Sequence, residues 1–310
     1  MTNKVYPPIY IVGPTGSGKS ELALRIAKAV DSVIISADSM QIYKGLDIGT
    51  AKVSKDIRDK VEHKLIDIVN YDEEFSVAQF AEIARMEIDK AQNAGKLPII
   101  VGGTGLYFEA LLYPMSFANT NKNSELREKL QAEYAEVGAQ ALHDKLRAFD
   151  EKTANRLHPN DVKRVIRALE IIMTTGKTLD ESSDERKSPN VIMVGFDCER
   201  QKLYDRINDR VDEMFAAGLV DEVLSVGSFD CQSMQAIGYK EFKNCDYTTI
   251  DGHHVLKIEE EKRIKELIKQ HTRNYAKRQL TWFRRYDFIN WFEVGDYDGA
   301  IEYVLSKISQ

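Results

Sequence analysis

The chain lacks the features that mark secreted, zinc-binding and membrane proteins. Its 310 residues include three cysteines, Cys198, Cys231 and Cys245, and no two of them form a Cys-x-x-Cys pair. This argues against a zinc finger or a disulfide framework and is typical of proteins in a reducing cytosol. No apolar run approaches the ~20 residues that span a bilayer, and residues 1–8 lack the apolar segment of a secretory signal. We therefore expect a cytoplasmic protein that contacts no membrane.

Internal repeats and low-complexity segments are also absent, and neither sign of charge dominates. The 43 Lys and Arg residues against 49 Asp and Glu residues give a formal net charge of −6. An acidic chain is not expected to bind nucleic acid without specificity, although the total says nothing about a local basic patch. With 43% hydrophobic residues, this length suits one large domain with an elaboration, or two domains.

What the chain does contain is a glycine-rich motif near its start. The motif fits the P-loop pattern and reads Gly13-Pro14-Thr15-Gly16-Ser17-Gly18-Lys19-Ser20. An apolar run precedes it and apolar residues at helical spacing follow it, as the strand, loop and helix of a P-loop require. Inward-facing N–H groups, the helix N-terminus and Lys19 would bind a di- or triphosphate, and Ser20 offers a hydroxyl to Mg²⁺. Because P-loops serve hydrolases, kinases and other transferases, the motif does not identify the reaction.

Short apolar and β-branched segments predict a buried parallel sheet. They lie at 9–12, 32–36, 97–101 and 191–196, with 64–69 as a further candidate. Helical patterns alternate with them, most clearly at 76–93, where Gly95 can end the helix. This alternation predicts an α/β fold.

The pattern changes at residue 119. A polar linker leads into charged helices predicted at 124–137, 139–149 and 161–175, and a polar stretch follows at 180–189. No strand pattern interrupts these helices. We therefore expect a helical insertion over 119–189 within a core domain formed by 1–118 and 190–310.

Two candidate ligand-facing segments follow predicted strands. Asp38 comes two residues after the strand at 32–36, and Gly102-Gly103-Thr104-Gly105 comes after the strand at 97–101. Ligands bind at the carboxyl ends of parallel strands, so Asp38 would face the phosphate site if its strand lies near the first one. The alternative is that Asp38 only caps a turn. The glycines indicate either close approach of backbone to a ligand or a tight connection.

Basic residues on two later helices are candidates for binding anions. In the helix at 201–217, Arg210 lies about 60° from the apolar stripe and Arg206 about 100° from it, so Arg210 is better placed to reach inward. The alternative is a solvated arginine. A long helix is predicted at 255–283, and the stretch from Lys262 to Tyr286 holds nine Lys or Arg residues and one acid. This stretch is either a polyanion-binding surface or a solvated face.

Taken together, these segments resemble the tRNA dimethylallyltransferase family, also called tRNA isopentenyltransferases. The matching blocks span nearly the whole chain and lie at 13–20, 36–52, 101–107, 158–164, 167–170, 206–212, 237–241 and 276–284. The block at 36–52 is far more specific than the P-loop. One departure is Gly16, where alanine is common in the family. The chain has no zinc-finger tail, which makes it similar to the bacterial form.

The resemblance implies a P-loop NTPase-like fold that transfers a dimethylallyl group from dimethylallyl diphosphate to tRNA. The acceptor would be the exocyclic amine of adenosine 37, next to the anticodon, and pyrophosphate would leave. The implied catalytic residues are Asp38, which would take or hold the proton of the amine, Thr15, Lys19 and Arg210. The implied diphosphate site, with Mg²⁺ on Ser20, comprises Gly13, Pro14, Thr15, Gly16, Ser17, Gly18, Lys19, Ser20 and Arg210.

The resemblance also implies where a tRNA anticodon stem-loop would bind a monomeric enzyme. The extruded adenine would meet Asp38, Ser39, Met40, Gln41 and Thr104. Residues on the insertion would hold the RNA, namely Arg127, Lys163, Arg164, Val165, Ile166 and Arg167. The stem-loop would also contact Gly238, Tyr239, Lys240, Arg273 and Lys277.

Two other functions remain open from the sequence. A P-loop kinase for a small metabolite would use the same loop, with Asp38 as its base. A non-catalytic, nucleotide-dependent RNA-binding module would explain the basic helix but gives Asp38 no task.

Overall fold

The computed structural model describes residues 5–113, 123–178, 189 and 191–309. The chain divides into two compact units, one formed by Met1–Leu111 with Asn190–Gln310 and the other by Leu112–Pro189. The segments 119–122 and 180–188, which we expected to be a linker and a polar stretch, lie outside the described residues.

A parallel six-stranded sheet forms the centre of the first unit. Its strand order is β3-β2-β4-β1-β5-β8, and a separate antiparallel pair consists of β6 and β7. The strands are β1 (Ile9–Val12), β2 (Ser32–Ser36), β3 (His63–Lys64), β4 (Leu97–Gly102), β5 (Ile192–Asp197), β6 (Tyr247–Ile250), β7 (His253–Leu256) and β8 (Asn290–Glu293). The four main predicted strands and the α/β fold are thus confirmed. Every residue of β1, β2 and β4 is buried, as expected for a parallel sheet covered on both faces.

Helices cover this sheet and form the described part of the second unit. They are α1 (Lys19–Ala29), α2 (Lys55–Arg58), α3 (Val77–Asn93), α4 (Gly105–Leu112), α5 (Ser124–Phe149), α6 (Glu151–Arg156), α7 (Val162–Thr175), α8 (Arg200–Ala216), α9 (Leu219–Leu224), α10 (Ile258–Phe283) and α11 (Tyr297–Ile308). Capping side chains explain where several of these helices begin. For example, Ser76 and Gln79 form a capping box at the start of α3. Among the described residues, no helix has the length and apolar character needed to cross a membrane.

The strand predicted at 64–69 is wrong beyond Lys64. Leu65 and Asp67 both adopt left-handed backbone conformations, with φ of 60° and 55°. Asp67 is held there because its carboxylate pairs with the Lys52 and Arg58 side chains. Tertiary ion pairs therefore override an apolar pattern that is typical of a strand.

β8 and the hairpin of β6 and β7 were not predicted from the sequence. The hairpin turns at Asp251 and Gly252, whose φ angles are 51° and 84°. Asp-Gly is a strong signal for a two-residue hairpin turn, and it was present in the sequence. The hairpin occupies the start of the segment predicted as helix from 255, so α10 begins at Ile258 instead.

The second unit is helical in its described part. α5 is interrupted at Gly138, whose φ of 82° and ψ of 175° separate two helical segments, as the predictions at 124–137 and 139–149 require. Apolar side chains from these segments, α6 and α7 form a buried core, in which Leu142, Leu146, Val165 and Leu169 are at most 1% exposed. Each such side chain contributes roughly 1.5–3 kcal/mol on burial, which gives this unit a core of its own.

Candidate active site

A cavity of about 500 Å³ lies where β1, β2 and β4 end. Thr15, Lys19 and Ser20 line it from the loop after β1, and residues 38–41 line it from the segment after β2. Arg210 of α8 and several residues of α10 complete the lining. In parallel α/β sheets the strand order reverses beside such a crevice, and here β1 lies between β4 and β5.

Asp38 reaches the phosphate loop although β1 and β2 are not adjacent. β4 lies between them, and its last residue, Gly102, and the following Gly103 place no side chain between the two loops. The Asp38 carboxylate favours the charged forms of both Lys19 and Arg210, so the three side chains share one electrostatic site. Asp38 Oδ1 also accepts a hydrogen bond from the Met40 N–H at 2.9 Å. Asp38 therefore caps its own turn and also faces the two cations, so capping is not its only interaction.

The P-loop has the left-handed turns that its glycines permit. Gly16 and Gly18 have φ of 79° and 87°, and α1 begins directly after them at Lys19. The Lys19 ammonium donates to the Pro14 carbonyl at 3.1 Å and so bridges the loop. Ser20 is exposed and lines the cavity, whereas Ser17 is fully buried. Pro14 is also buried beneath the loop, and Gly13 begins the turn with φ of 151°.

Lys19 has an unusually acidic ammonium group. Burial lowers its pKa from 10.5 to about 8, Asp38 opposes this shift, and Arg210 adds to it. Lys19 is therefore mostly charged at neutral pH but loses its proton in mildly alkaline solution. A bound diphosphate would raise this pKa because a nearby anion favours the ammonium form.

This pKa predicts an alkaline limb in the pH profile of donor binding. The affinity of the free protein for pyrophosphate should fall as pH rises through about 8, the pKa of Lys19. If donor turnover is measured, kcat/KM should show the same limb and kcat should show it at higher pH, because kcat reports the ligand-bound protein. Calorimetry with pyrophosphate from about pH 7 to about pH 9.5 measures the first effect.

Two variants of α1 test whether Lys19 is the group that titrates. Lys19→Arg should lose the limb, because a guanidinium stays charged across this range, whereas Lys28→Arg changes an exposed lysine of α1 and should keep it. A limb that persists in Lys19→Arg would assign the titration to another group.

Arg210 and Arg206 differ in the way that helical geometry predicts. Arg210 lines the cavity, and burial lowers its pKa while Asp38 and Glu213 act in the opposite direction. Arg206, one turn earlier on α8, is exposed. Arg210 is thus the cation of this helix that faces Lys19.

Three residues of α10 that were not singled out from the sequence also line the cavity. The Gln279 side chain accepts the Thr15 N–H and donates to the Gly103 carbonyl, each at 2.9 Å, and thus joins the two glycine-rich turns. Tyr275 shares hydrogen bonds with Thr104 and Gln279, and burial raises its pKa to about 12. Arg278 is exposed, lines the cavity, and lies 5.7 Å from the centre of the Tyr275 ring. Gln279 stands 264 residues from Thr15, so no local pattern could reveal this contact.

Sequence comparison identifies the family. A family model described as IPP transferase matches residues 41–286. The tRNA dimethylallyltransferase of Halalkalibacterium halodurans is 46% identical over 297 residues, which cover 94% of this chain and 92% of that protein. The chain belongs to the tRNA dimethylallyltransferase family. The tRNA dimethylallyltransferase of Bacillus subtilis (strain 168) is 44% identical over 300 residues, covering 95% of this chain and 93% of the relative.

Solved structures agree with this assignment. The full-length tRNA isopentenylpyrophosphate transferase of Bacillus halodurans matches with a TM-score of 0.68 and 42% identity, covering 98% of this chain and 96% of that one. A eukaryotic dimethylallyltransferase described as acting on tRNA matches with a TM-score of 0.77 and 28% identity, covering 94% and 74%. The resemblance found in the sequence is confirmed, and so is the P-loop NTPase-like fold.

The residues after β2, which the family resemblance assigns to the acceptor base, form one hydrogen-bonded segment. Ser39, Met40 and Gln41 line the cavity. The Ser39 N–H donates to Thr104 Oγ1 at 3.1 Å, so Thr104 supports the segment after β2 from outside the cavity lining. The Gln41 side chain accepts from Ser36 and donates to the Thr50 carbonyl at 3.2 Å. Thr104 therefore holds the backbone just after Asp38, and Gln41 links the segment to Ser36 at the end of β2 and to Thr50.

Tyr239 is placed differently from the prediction that it contacts tRNA. Gly238 and Lys240 line the cavity, but the Tyr239 side chain is fully buried. Its hydroxyl donates to Glu222 Oε1 at 2.6 Å, and its ring packs against Gly49. We therefore exclude this side chain from the proposed RNA surface.

Two other predicted tRNA contacts, Val165 and Ile166, lie in the core of the helical unit. They are 0% and 6% exposed, because the apolar face of α7 packs inward there. We exclude their side chains from the RNA surface as well. Lys163 and Arg164 on the same helix are exposed, and Arg164 pairs with Asp161 at 3.3 Å.

Arg127 and Arg167 are engaged within the helical unit. Both pair with Glu170, whose side chain is 2% exposed, at 2.7 Å and 3.0 Å. Burial would raise the pKa of Glu170, but hydrogen bonds from Arg127 and Arg167 outweigh it and the pKa is lowered. The two arginines thus compensate a buried carboxylate.

Ion pairs neutralise the first half of the basic stretch on α10. α10 begins with Glu259, Glu260 and Glu261, which lie just before the stretch counted from the sequence. These acids pair with Lys262, Arg263 and Lys265. The stretch therefore carries less free charge than its composition indicates.

The second half of α10 keeps its charge. Arg273 donates to the Asn208 side-chain carbonyl at 2.6 Å, a neutral partner, and Lys277 is exposed. With Arg278 they form a positive surface of three residues.

Proposed function

We propose that this protein transfers a dimethylallyl group from dimethylallyl diphosphate to the exocyclic amine of adenosine 37 in tRNA and releases pyrophosphate. The observation that carries the proposal is the meeting of the Asp38 carboxylate with Lys19 and Arg210 around one cavity. Two cations suit a departing diphosphate, and a carboxylate beside them suits an amine that loses a proton. The names of the relatives support the same reaction.

The donor would bind with its diphosphate in the P-loop. Lys19 and Arg210 would stabilise the negative charge that develops on pyrophosphate as the allylic C–O bond breaks. Thr15, at the cavity end of the loop, would contact the same leaving group. Apolar side chains of α8 and α10, among them Val211, Met214 and Ile268, line the cavity and would enclose the hydrocarbon.

Mg²⁺ fits this arrangement as an ion shared with the substrate. The described residues contain no group of three or more His, Cys, Asp or Glu side chains that could hold a metal alone. Mg²⁺ usually takes one or two protein ligands and completes its shell with substrate phosphates and water. We propose that the Ser20 hydroxyl, which lines the cavity, is the protein ligand. When bound, the ion would neutralise charge on the diphosphate.

Asp38 would act on the acceptor amine. As the new N–C bond forms and the C–O bond of the donor breaks, the nitrogen becomes positively charged and releases a proton, which Asp38 would accept. The adenine must first leave the stack of the anticodon loop, at a cost of a few kcal/mol. Ser39 and Met40 lie beside Asp38 in the cavity and would contact the extruded base.

The tRNA would contact exposed or half-buried positive residues in each unit. In the first unit these are Arg273, Lys277 and Arg278 of α10, together with Lys240 and the backbone of Gly238. In the helical unit they are Lys163 and Arg164, with Arg127 and Arg167 beside Glu170. Single-stranded loops with accessible bases suit this mode of recognition.

Mass spectrometry of tRNA nucleosides tests the proposal directly. The purified protein is incubated with tRNA, dimethylallyl diphosphate and Mg²⁺, and we expect an adenosine heavier by one dimethylallyl group at position 37. A parallel incubation with [γ-³²P]ATP and metabolite mixtures tests for a kinase. Labelled metabolites with unmodified tRNA would show a kinase, and tRNA binding without either product would show a binding module.

The basic surface of α10 predicts a salt-dependent contribution to tRNA affinity. Neutralising Arg273 and Lys277 together should weaken binding and reduce the slope of log K against log salt by about 1.5, since each phosphate contact contributes about 0.7–0.9. Filter binding at several salt concentrations measures the slope. Arg263→Gln is the matched control, because Arg263 lies on the same helix but already pairs with Glu260. An equal slope in the double variant and the wild type would remove α10 from the RNA surface.

A further inference from the structure

One wall of the cavity is built from two loops. Residues 49–51 and 236–238, with Lys240, line this side, which we call the loop wall. The P-loop lies outside it, and the hydrogen bonds that fix Thr15 and Lys19 involve Gln279 and Pro14, not residues of the wall. The loop wall is therefore a separate structural part of the site.

Glu222 of α9 holds both loops of this wall. Its Oε2 accepts the N–H groups of Asp47 and Ile48 at 2.8 Å and 2.7 Å, and its Oε1 accepts the Gly49 N–H at 2.9 Å. The Tyr239 hydroxyl donates to Oε1 at 2.6 Å and adds a fourth bond from the second loop. Four donors on one carboxylate form a strong charge-assisted network.

The contacts around Glu222 fix the distance between the two loops. The Tyr239 ring lies so close to Gly49 that a Cβ on Gly49 would stand 2.6 Å from it. A second carboxylate, Glu241, accepts the Gly238 N–H at 2.9 Å and contacts His271 of α10 at 2.6 Å. Glu222 therefore fixes the position of residues 47–49 relative to Tyr239, and Glu241 fixes the position of Gly238 relative to α10.

The loop wall is joined to the acceptor side of the site. Gln41, three residues after Asp38, donates to the carbonyls of Thr50 and Ala51 at 3.2 Å and 3.4 Å. Displacement of the loop wall would therefore move Gln41 and change the space beside Asp38. The hydrogen bonds of Thr15 and Lys19 in the P-loop would remain. A base is planar and must fit its pocket closely, so the position of this wall affects the acceptor more than the diphosphate.

We propose that Glu222 is a positioning residue that sets the loop wall and thereby the fit of the acceptor base. This rests on the proposed function, because it assigns the wall to the RNA substrate. Glu222 touches neither substrate; it acts through the backbone of residues 47–49 and through Tyr239.

Glu222→Gln and Tyr239→Phe test the proposal in graded steps. In either orientation the amide of Glu222→Gln leaves at least one of the three backbone N–H groups without an acceptor, whereas Tyr239→Phe removes a single hydroxyl. We expect the affinity for an anticodon stem-loop and kcat/KM for tRNA to fall by about 10- to 100-fold in Glu222→Gln, the scale of a misplaced reacting group. Tyr239→Phe should lose only a few-fold, and the affinity for pyrophosphate should stay within a few-fold of wild type in both.

Asp221→Asn is the matched control. Asp221 is the neighbouring carboxylate on α9, and it accepts from His254 and pairs with His253 of the hairpin instead of the loop wall. It should lower the melting temperature without changing stem-loop affinity. Equal stem-loop losses in Glu222→Gln and Asp221→Asn, or a parallel loss of pyrophosphate affinity, would show that Glu222 only stabilises the fold and would overturn the proposal. Turnover by the wild-type protein tests the proposed function by itself. The stem-loop affinity of Glu222→Gln, divided by that of the wild type, tests whether Glu222 positions the loop wall.

Discussion

Replacing Asp38 with asparagine should lower kcat for prenyl transfer by about 10²- to 10⁴-fold, the range over which a general base contributes. The amide oxygen of asparagine can still accept the Met40 N–H, which Asp38 Oδ1 accepts at 2.9 Å, so the turn after β2 should persist. The affinity for tRNA should therefore stay within a few-fold of wild type. Single-turnover transfer with mass spectrometry gives the rate, and filter binding gives the affinity.

The matched control for Asp38 is Asp89→Asn. Asp89 is an exposed carboxylate of α3 that does not line the cavity, so its replacement changes the net charge equally without touching the site. A loss of tRNA affinity as large as the loss of rate would contradict the role of Asp38 as a base. In that case the carboxylate would serve to bind the RNA substrate.

Replacing Arg210 with glutamine should lower kcat by about 10²- to 10³-fold, since it removes a charge that faces the leaving pyrophosphate. The charge is most useful when the C–O bond is breaking, so the loss should appear in kcat more than in KM for the donor. Arg210→Lys should recover part of the rate, because it restores the charge but not the planar, forked hydrogen bonding of the guanidinium. Steady-state kinetics with varied donor separates these terms.

Arg206→Gln is the matched control for Arg210. It removes the same charge from the same helix one turn earlier, where the side chain is exposed. Its kcat should match wild type. If both variants lose the same fraction of kcat, the effect comes from the overall field of α8 and not from contact with the leaving group.

The choice between these two arginines shows what sequence alone can predict. Both lie on one helix, and the 3.6-residue period is a local property that the sequence displays directly. The four main strands were predictable for a similar reason, because each is a short, buried run of apolar residues. The P-loop needed only its own eight residues and their flanks.

Contacts between distant segments were not predictable in the same way. The position of Asp38 depended on strand order, and β4, which lies between β1 and β2, comes later in the chain than either. Gln279 and Glu222 stand 264 and 173 residues from the loop N–H groups of Thr15 and Gly49 that they bind. The turn at Asp67 depended on ion pairs with Lys52 and Arg58 that outweigh a local preference. In each case the missing information was which segments become neighbours.

The glycine-rich turn after β4 limits what mutagenesis of this site can reveal. A Cβ on Gly102 would collide with the Ala37 carbonyl, one on Gly103 with the Gln279 amide, and one on Gly105 with the Trp282 ring. Protein atoms from two segments, the loop after β2 and helix α10, therefore fill the space that side chains would need. In a mutational scan these positions should tolerate almost nothing, yet their intolerance would report crowding by the protein itself. A complete loss of activity at these glycines would say less about the substrate than a modest loss at Ser39 or Arg278, where the cavity has room for a new side chain.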